Sequence, residues 1–188
     1  LVQWLRLPGA ERRAGDGLND ELAAYLDSFK VRRNETTLIA AVRLGGLHFN
    51  DSKFADDDLS TGSIKPYSLF LIMNEMVDAA ADRKVKGFRP AYMIDQSHVI
   101  KDPIEDLIGS AIEVRRAYVK ALLVDREALE GFQESNDVVR AERTLKAAYE
   151  TDVSPILAEA SRRRGAALEP IAAYRASGWR QAVAKRRG

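Results

Sequence analysis

Residues 44–59 read L-G-G-L-H-F-N-D-S-K-F-A-D-D-D-L. A glycine pair leads into a short apolar segment that presents His48, and Asp51, Asp56, Asp57 and Asp58 follow within ten positions. The run 47–50 is too short and too apolar for a helix and is bounded by turn-forming residues, so it predicts a buried strand. Residues 51–65 then predict a loop ending in Ser60, Thr61, Gly62 and Ser63.

Working outward, Pro66 falls where the first helical position is expected, since its missing N–H costs nothing there. Leu69, Phe70, Ile72, Met73, Met76, Val77 and Ala80 follow as a wide apolar stripe, predicting a helix to about residue 81. After a basic turn over 84–89, residues 91–94 predict a second short apolar strand, ending at Asp95, Gln96, Ser97 and His98. Strand, helix and strand at this spacing make a parallel crossover unit. His48 and Asp95 then sit at the C-terminal strand ends, the edge where barrel and open-sheet enzymes place reactive groups.

Past residue 100 the pattern is helical. Asp102 as cap and Pro103 open a long helix expected to reach about residue 129, with Gly131 breaking it. A helix over about 136–149 follows, then one opened by Ser154 and Pro155 and closed at Gly165. Residues 169–175 and 178–185 predict shorter pieces, with Trp179 as an anchor. Upstream, residues 1–18 contain Pro8, Gly9, Gly15 and Gly17 without sustained period and predict loop. Helices are expected over 19–30 and 35–42, the second stopped by Gly45 and Gly46.

The 188 residues suffice for one sizeable domain, and 46% hydrophobic with 30% charged residues is ordinary globular composition. Lys and Arg total 29 against 28 for Asp and Glu, so a net charge of +1 predicts no long-range attraction to nucleic acid. The basic clusters at 162–164 and 185–187 read as solvated helix ends. With no cysteine, disulfides, thiolate metal sites and cysteine nucleophiles are excluded. No apolar run approaches a membrane span and residues 1–9 lack a secretory leader's apolar centre, so no membrane partner and a cytoplasmic location are expected.

Any metal in this chain must be held by imidazole and carboxylate, donors that suit Mn²⁺, Mg²⁺ or Zn²⁺. His48 and Asp95 are the first candidates; a hydrogen-bonded core histidine and a turn carboxylate are the competing readings. In an extended loop Asp56 and Asp58 share a side while Asp57 turns away. Two carboxylates on one side repel unless a cation lies between them, and a solvated acidic loop is the alternative. His98 reads equally as a group supporting the site or as a surface residue. Gly45-Gly46 precedes a strand rather than a helix, so it is no phosphate loop, and no G-x-S-x-G elbow is present.

The stretch 44–59 continues into G-S-I-K-P-Y-S-L-F-L-I-M-N-E, M-I-D-Q-S-H and D-P-I-E-D-L-I-G-S-A, and later R-R-A-Y-V-K-A-L-L-V-D-R and T-D-V-S-P-I-L-A-E-A. Together these resemble the broad-specificity bacterial L-rhamnose isomerases, within the xylose-isomerase-like barrel enzymes, over about residues 38–184. The resemblance implies a (β/α) TIM barrel with two divalent ions, commonly manganese, that interconverts an aldose and its ketose. By position, His48 and Asp95 match ligands of the first ion, with Asp95 also the catalytic group, and Asp56 and Asp58 match ligands of the second. It also implies a small-molecule sugar as partner and a homotetramer.

The family's upstream V-D-x-G-H-H-like motif, with its further glutamate and lysine, has no counterpart here, and residues 1–37 do not match. The chain opens on Leu1 rather than Met. The expectation is therefore an α/β fold made of a partial barrel segment over 38–100 with two short parallel strands. An unmatched segment, 1–37, precedes it and a C-terminal helical extension, 101–188, follows. Such a fragment would hold half of the metal ligands and be impaired alone. The alternative is a non-catalytic helical module that assembles with a full-length isomerase.

Overall fold

The computed structural model describes residues 2–6, 44–54, 57–81, 88–97 and 101–187. The helices expected over 19–30 and 35–42, together with Asp56 and His98, lie outside the described residues. The fold is mixed α/β and mostly helical. Among the described residues the sheet has three strands in the order β1 (Val2–Arg6), β2 (Leu44–Phe49) and β3 (Ala91–Ile94).

The strand-helix-strand unit is present as expected. β2 runs parallel to β3, with Gly46 opposite Ala91 and Phe49 opposite Ile94. The helix between them, α1 (Pro66–Ala81), begins at Pro66. It buries Leu69, Phe70, Ile72, Met73, Met76 and Val77, with Ala79 rather than the expected Ala80 completing the stripe.

Over residues 2–6, β1 corrects the loop reading, and the rest of 1–18 lies outside the described residues. The strand pairs antiparallel with the free edge of β2, Val2 opposite Phe49 and Trp4 opposite Leu47. Five residues are too few to declare a period, and an open edge on β2 would otherwise leave a row of backbone groups unpaired. Gly45 and Gly46 lie within β2.

Seven helices are described, and after α1 come α2 (Pro103–Leu122), α3 (Arg126–Glu134), α4 (Val138–Glu150), α5 (Ser154–Arg163), α6 (Pro170–Ala176) and α7 (Trp179–Arg187). The Asp102 carboxylate caps α2 by accepting from the Ile104 and Glu105 N–H groups. The single helix expected to reach residue 129 is two helices. Asp125 accepts from the Ala128 N–H to start α3, and the Arg126 guanidinium donates to the Ala121 and Val124 carbonyls at the end of α2. Gly131, expected to break a helix, sits inside α3. Trp179 is half exposed and tilted against Tyr174, so its anchoring is partial.

One apolar cluster joins the layers. Leu47 and Phe49 from β2 meet the buried stripe of α1, Ala117 and Ala121 of α2, Leu129 of α3 and Ala148 of α4. Tyr67, Phe70 and Tyr149 pack ring against ring at centroid separations of 4.9–5.7 Å. Because side chains alternate along a strand, burying Leu47 and Phe49 in this cluster turns His48 to the opposite face of the sheet.

Candidate active site

Placing Leu47 and Phe49 in the core thus decides where His48 points. The parallel register sets His48 beside Met93, one residue short of the end of each strand. Asp95 follows β3 immediately, and its N–H donates to the Phe49 carbonyl at 3.0 Å, holding the turn-off of β3 against the end of β2. The two side chains meet: His48 Nδ1 lies 3.3 Å from Asp95 Oδ2. His48 is 19% exposed and Asp95 53%, so the pair opens to solvent on the carboxylate side.

Asp58 is held at the same strand-end edge by its backbone. Its carbonyl accepts from the Ser97 N–H at 2.7 Å, two residues past Asp95. Its φ of 44° is in the left-handed region, which aspartate tolerates better than most residues. The Asn50 side-chain amide donates to its carboxylate.

The remaining aspartates divide by role. Asp51 is buried and accepts from the Ser52, Ile64 and Lys65 N–H groups, fastening both ends of the loop. Residues 51 and 59 also bridge as an antiparallel pair, each N–H donating to the other's carbonyl. Asp57 turns back on the loop, accepting from the Lys53 and Phe54 N–H groups. Partial loss of water pushes its carboxyl up. The Phe54, Lys53 and Asp57 N–H groups and the Lys65 charge more than offset this, and its pKa stands below the usual value.

Two features bear on whether a cation fits. First, 3.3 Å is long for a charge-assisted hydrogen bond. It is close to the separation of about 3 Å between adjacent donors each about 2.1 Å from one ion. Second, His48 Nε2 is buried and has no hydrogen-bond partner among the described residues. A histidine ligand ordinarily has its second nitrogen engaged, so this feature does not support a cation and the fit rests on the spacing of Nδ1 from the carboxylate. Imidazole and carboxylate at this spacing fit two donors of a divalent site. No cluster of three or more His, Asp or Glu able to hold a metal occurs among the described residues. The structure therefore brings His48 and Asp95 together and ties Asp58 to the same edge.

Several residues at this edge were not singled out from the sequence. Gln96 bonds to both Asp106 and Ser110, and Asn50 bonds to Asp58. The only hint was position, since Gln96 and Asn50 directly follow the strand-end residues.

Two curated relatives match most of this chain. One, a probable sugar isomerase of Rhizobium meliloti (strain 1021), is 59% identical over 167 residues, 89% of this chain and 39% of its own length. The other, a probable sugar isomerase of Mesorhizobium japonicum, is 54% identical over 167 residues, with the same two shares. The chain thus spans 39% of the length of the curated relatives it matches. No family model matches it.

Proposed function

We propose that this chain carries one wall of the active site of a divalent-metal-assisted aldose–ketose isomerase of the L-rhamnose to L-rhamnulose type. The supporting observation is the meeting of His48 and Asp95 at the C-terminal ends of adjacent parallel strands. The relatives named as probable sugar isomerases support the general class, and the motifs of residues 44–59 and 93–98 support the finer one. In this reading β2, α1 and β3 are one segment of a (β/α) barrel.

His48 and Asp95 would hold one ion, and Asp58 with Asp56 a second; Mn²⁺ suits these donors. A bound divalent ion supplies Lewis-acid polarisation of the sugar's carbonyl and hydroxyl oxygens. The chain's own part is to orient. The sheet sets the face from which His48 projects, Asn50 donates to the Asp58 carboxylate, and the exposed Asp95 carboxylate would accept and return a sugar hydroxyl proton while hydrogen moves between C1 and C2. With half of the donors elsewhere, the 188-residue chain binds metal weakly and turns over little sugar alone.

The test is a calorimetric Mn²⁺ titration with an L-rhamnose isomerisation assay on the chain and on His48→Ala and Asp95→Asn. Weak binding abolished by either substitution is the expected result. Tight stoichiometric binding with turnover by the chain alone overturns the impairment. Binding indifferent to both substitutions overturns the metal reading.

A second reading, an assembly module that docks on an isomerase subunit, is favoured by apolar residues left exposed on the helices. Tyr118 and Leu122, one turn apart on α2, are 42% and 50% exposed, and Val138 on α4 is 67% exposed. Size exclusion with light scattering decides it, since a stable monomer at high concentration that ignores added isomerase counts against a module.

A further inference from the structure

Beneath the strand ends lies a polar network that stands outside the apolar cluster. Gln96, the residue after Asp95, is 9% exposed, Ser110 on α2 is 1% exposed and Thr61 in the loop after β2 is 3% exposed. Ser110 Oγ donates to Gln96 Oε1 at 2.6 Å, and Gln96 Nε2 donates to Asp106 Oδ2 at 2.7 Å. Asp106 and Ser110 stand four residues apart, on one face of α2. The other Asp106 oxygen accepts from Ser60 Oγ at 2.7 Å and from Lys101 Nζ at 3.3 Å. The Thr61 N–H donates to Ser110 Oγ at 3.1 Å.

The network has a direction. Gln96 and Ser110 each donate to one neighbour and accept from another, and Asp106 accepts throughout. Leaving the buried Gln96 or Ser110 groups unmatched is costly, so the donor and acceptor pattern holds these side chains in place. It also spans both loops that carry candidate ligands: Ser60 and Thr61 lie two and three residues past Asp58, and Gln96 adjoins Asp95. The Ser97 N–H bond to the Asp58 carbonyl joins the two loops directly.

We propose that Gln96 and Asp106 are positioning residues, a buried clasp on the first turns of α2 that sets the spacing of Asp58 from the His48–Asp95 pair. The proposal rests on the metal-site reading only for its consequence, and the clasp itself is a statement about the protein without metal. Partners behind metal ligands ordinarily contribute tenfold to a hundredfold in affinity.

The decisive comparison is Gln96→Glu against the double variant Gln96→Glu/Asp106→Asn, in the full chain. The single change sets two carboxylates against each other across the clasp. The double change restores a donor facing an acceptor at the same place, while the carbonyl of the amide introduced at position 106 can still accept from Ser60. Amide hydrogen exchange at Ser97, read without metal, should speed about tenfold in Gln96→Glu and return in the double variant. Mn²⁺ affinity by calorimetry should fall about tenfold and return in step.

Should Gln96→Glu fail to fold, Ser110→Ala removes only the hydroxyl, and faster exchange at both Thr61 and Ser97 is expected. Unchanged Ser97 exchange in the folded variants, or a double variant no better than the single, overturns the clasp. A wild-type chain that binds no Mn²⁺ overturns the isomerase reading, and the exchange comparison still decides the clasp.

Discussion

Asp51 shows what a single carboxylate does when it is turned inward. Its Oδ2 accepts from the Ile64 and Lys65 N–H groups, both at 2.8 Å, immediately ahead of α1. Asp51→Ala strands these part-buried donors, and because water can reach the exposed Ile64 and Lys65 the cost stays in the lower part of the range of about 1–3 kcal/mol each. A loss of about 2–4 kcal/mol in urea unfolding is therefore expected, with Mn²⁺ ligation affected only through the loop. Gly62 is a second such residue. Its φ of 76° lies in the left-handed region, and a Cβ there would meet the Glu113 Cβ at 3.0 Å. Gly62→Ala should cost at least about 1–2 kcal/mol from the backbone alone, read as a lowered denaturation midpoint. Both residues were visible as turn formers, and neither could be told from its neighbours without their partners.

At the scale of elements, α6 and α7 are held to the start of α2 mainly by charge. The Arg175 guanidinium engages Glu105 on both oxygens, and Asp102 accepts from Tyr174 Oη at 3.1 Å and lies 3.2 Å from Arg180. The Glu105 N–H holds the Asp102 carboxyl below its ordinary value against partial loss of water, helped by Tyr174, Ile104 and Arg180. The Arg175 hydrogen bond does the same for Glu105. Carboxyls with depressed folded values stabilise the arm fully above the ordinary carboxylate range, and that contribution is lost as pH falls through the depressed values. Acidification below about pH 4 should release α6 and α7 before the core unfolds. Trp179 fluorescence, set against far-UV circular dichroism, would report it, and Arg175→Gln should move the release to higher pH. High salt should also loosen the arm, because exposed ion pairs are screened.

For the molecule as a whole, the apolar cluster runs from β2 through α1 and α2 to α3 and α4, while α6 and α7 supply none of its members. Protection from amide exchange should therefore be greatest in β2, α1 and α2 and least in α6 and α7. Phe70 is 1% exposed and touches Tyr67 and Tyr149, so Phe70→Ala should cost about 3–5 kcal/mol, a large share of a single domain's stability. A variant that lost α6 and α7 protection without lowering that of α1 would confirm that the two parts open separately. The expected crossover unit is the part of this architecture that places the candidate site. No described helix is long and apolar enough to cross a membrane.

The local elements are legible in the residues alone. Pro66, the Asp102–Pro103 start, the apolar stripe of α1 and the short apolar runs of β2 and β3 are encoded in neighbouring residues. Sterics and capping act over a turn or two, so they can be read without knowing the fold. The sequence also singled out His48 and Asp95 by type and by strand-end position. That these two, 47 residues apart, come within 3.3 Å follows from packing alone. The tertiary structure likewise turned Asp51 inward, assigned Asp57 to the loop's own backbone and made Gln96 the neighbour of Asp106. Those outcomes depend on which face of β2 enters the core and how α2 lies across the strand ends. Packing between distant segments settles both, and no local pattern carries that information.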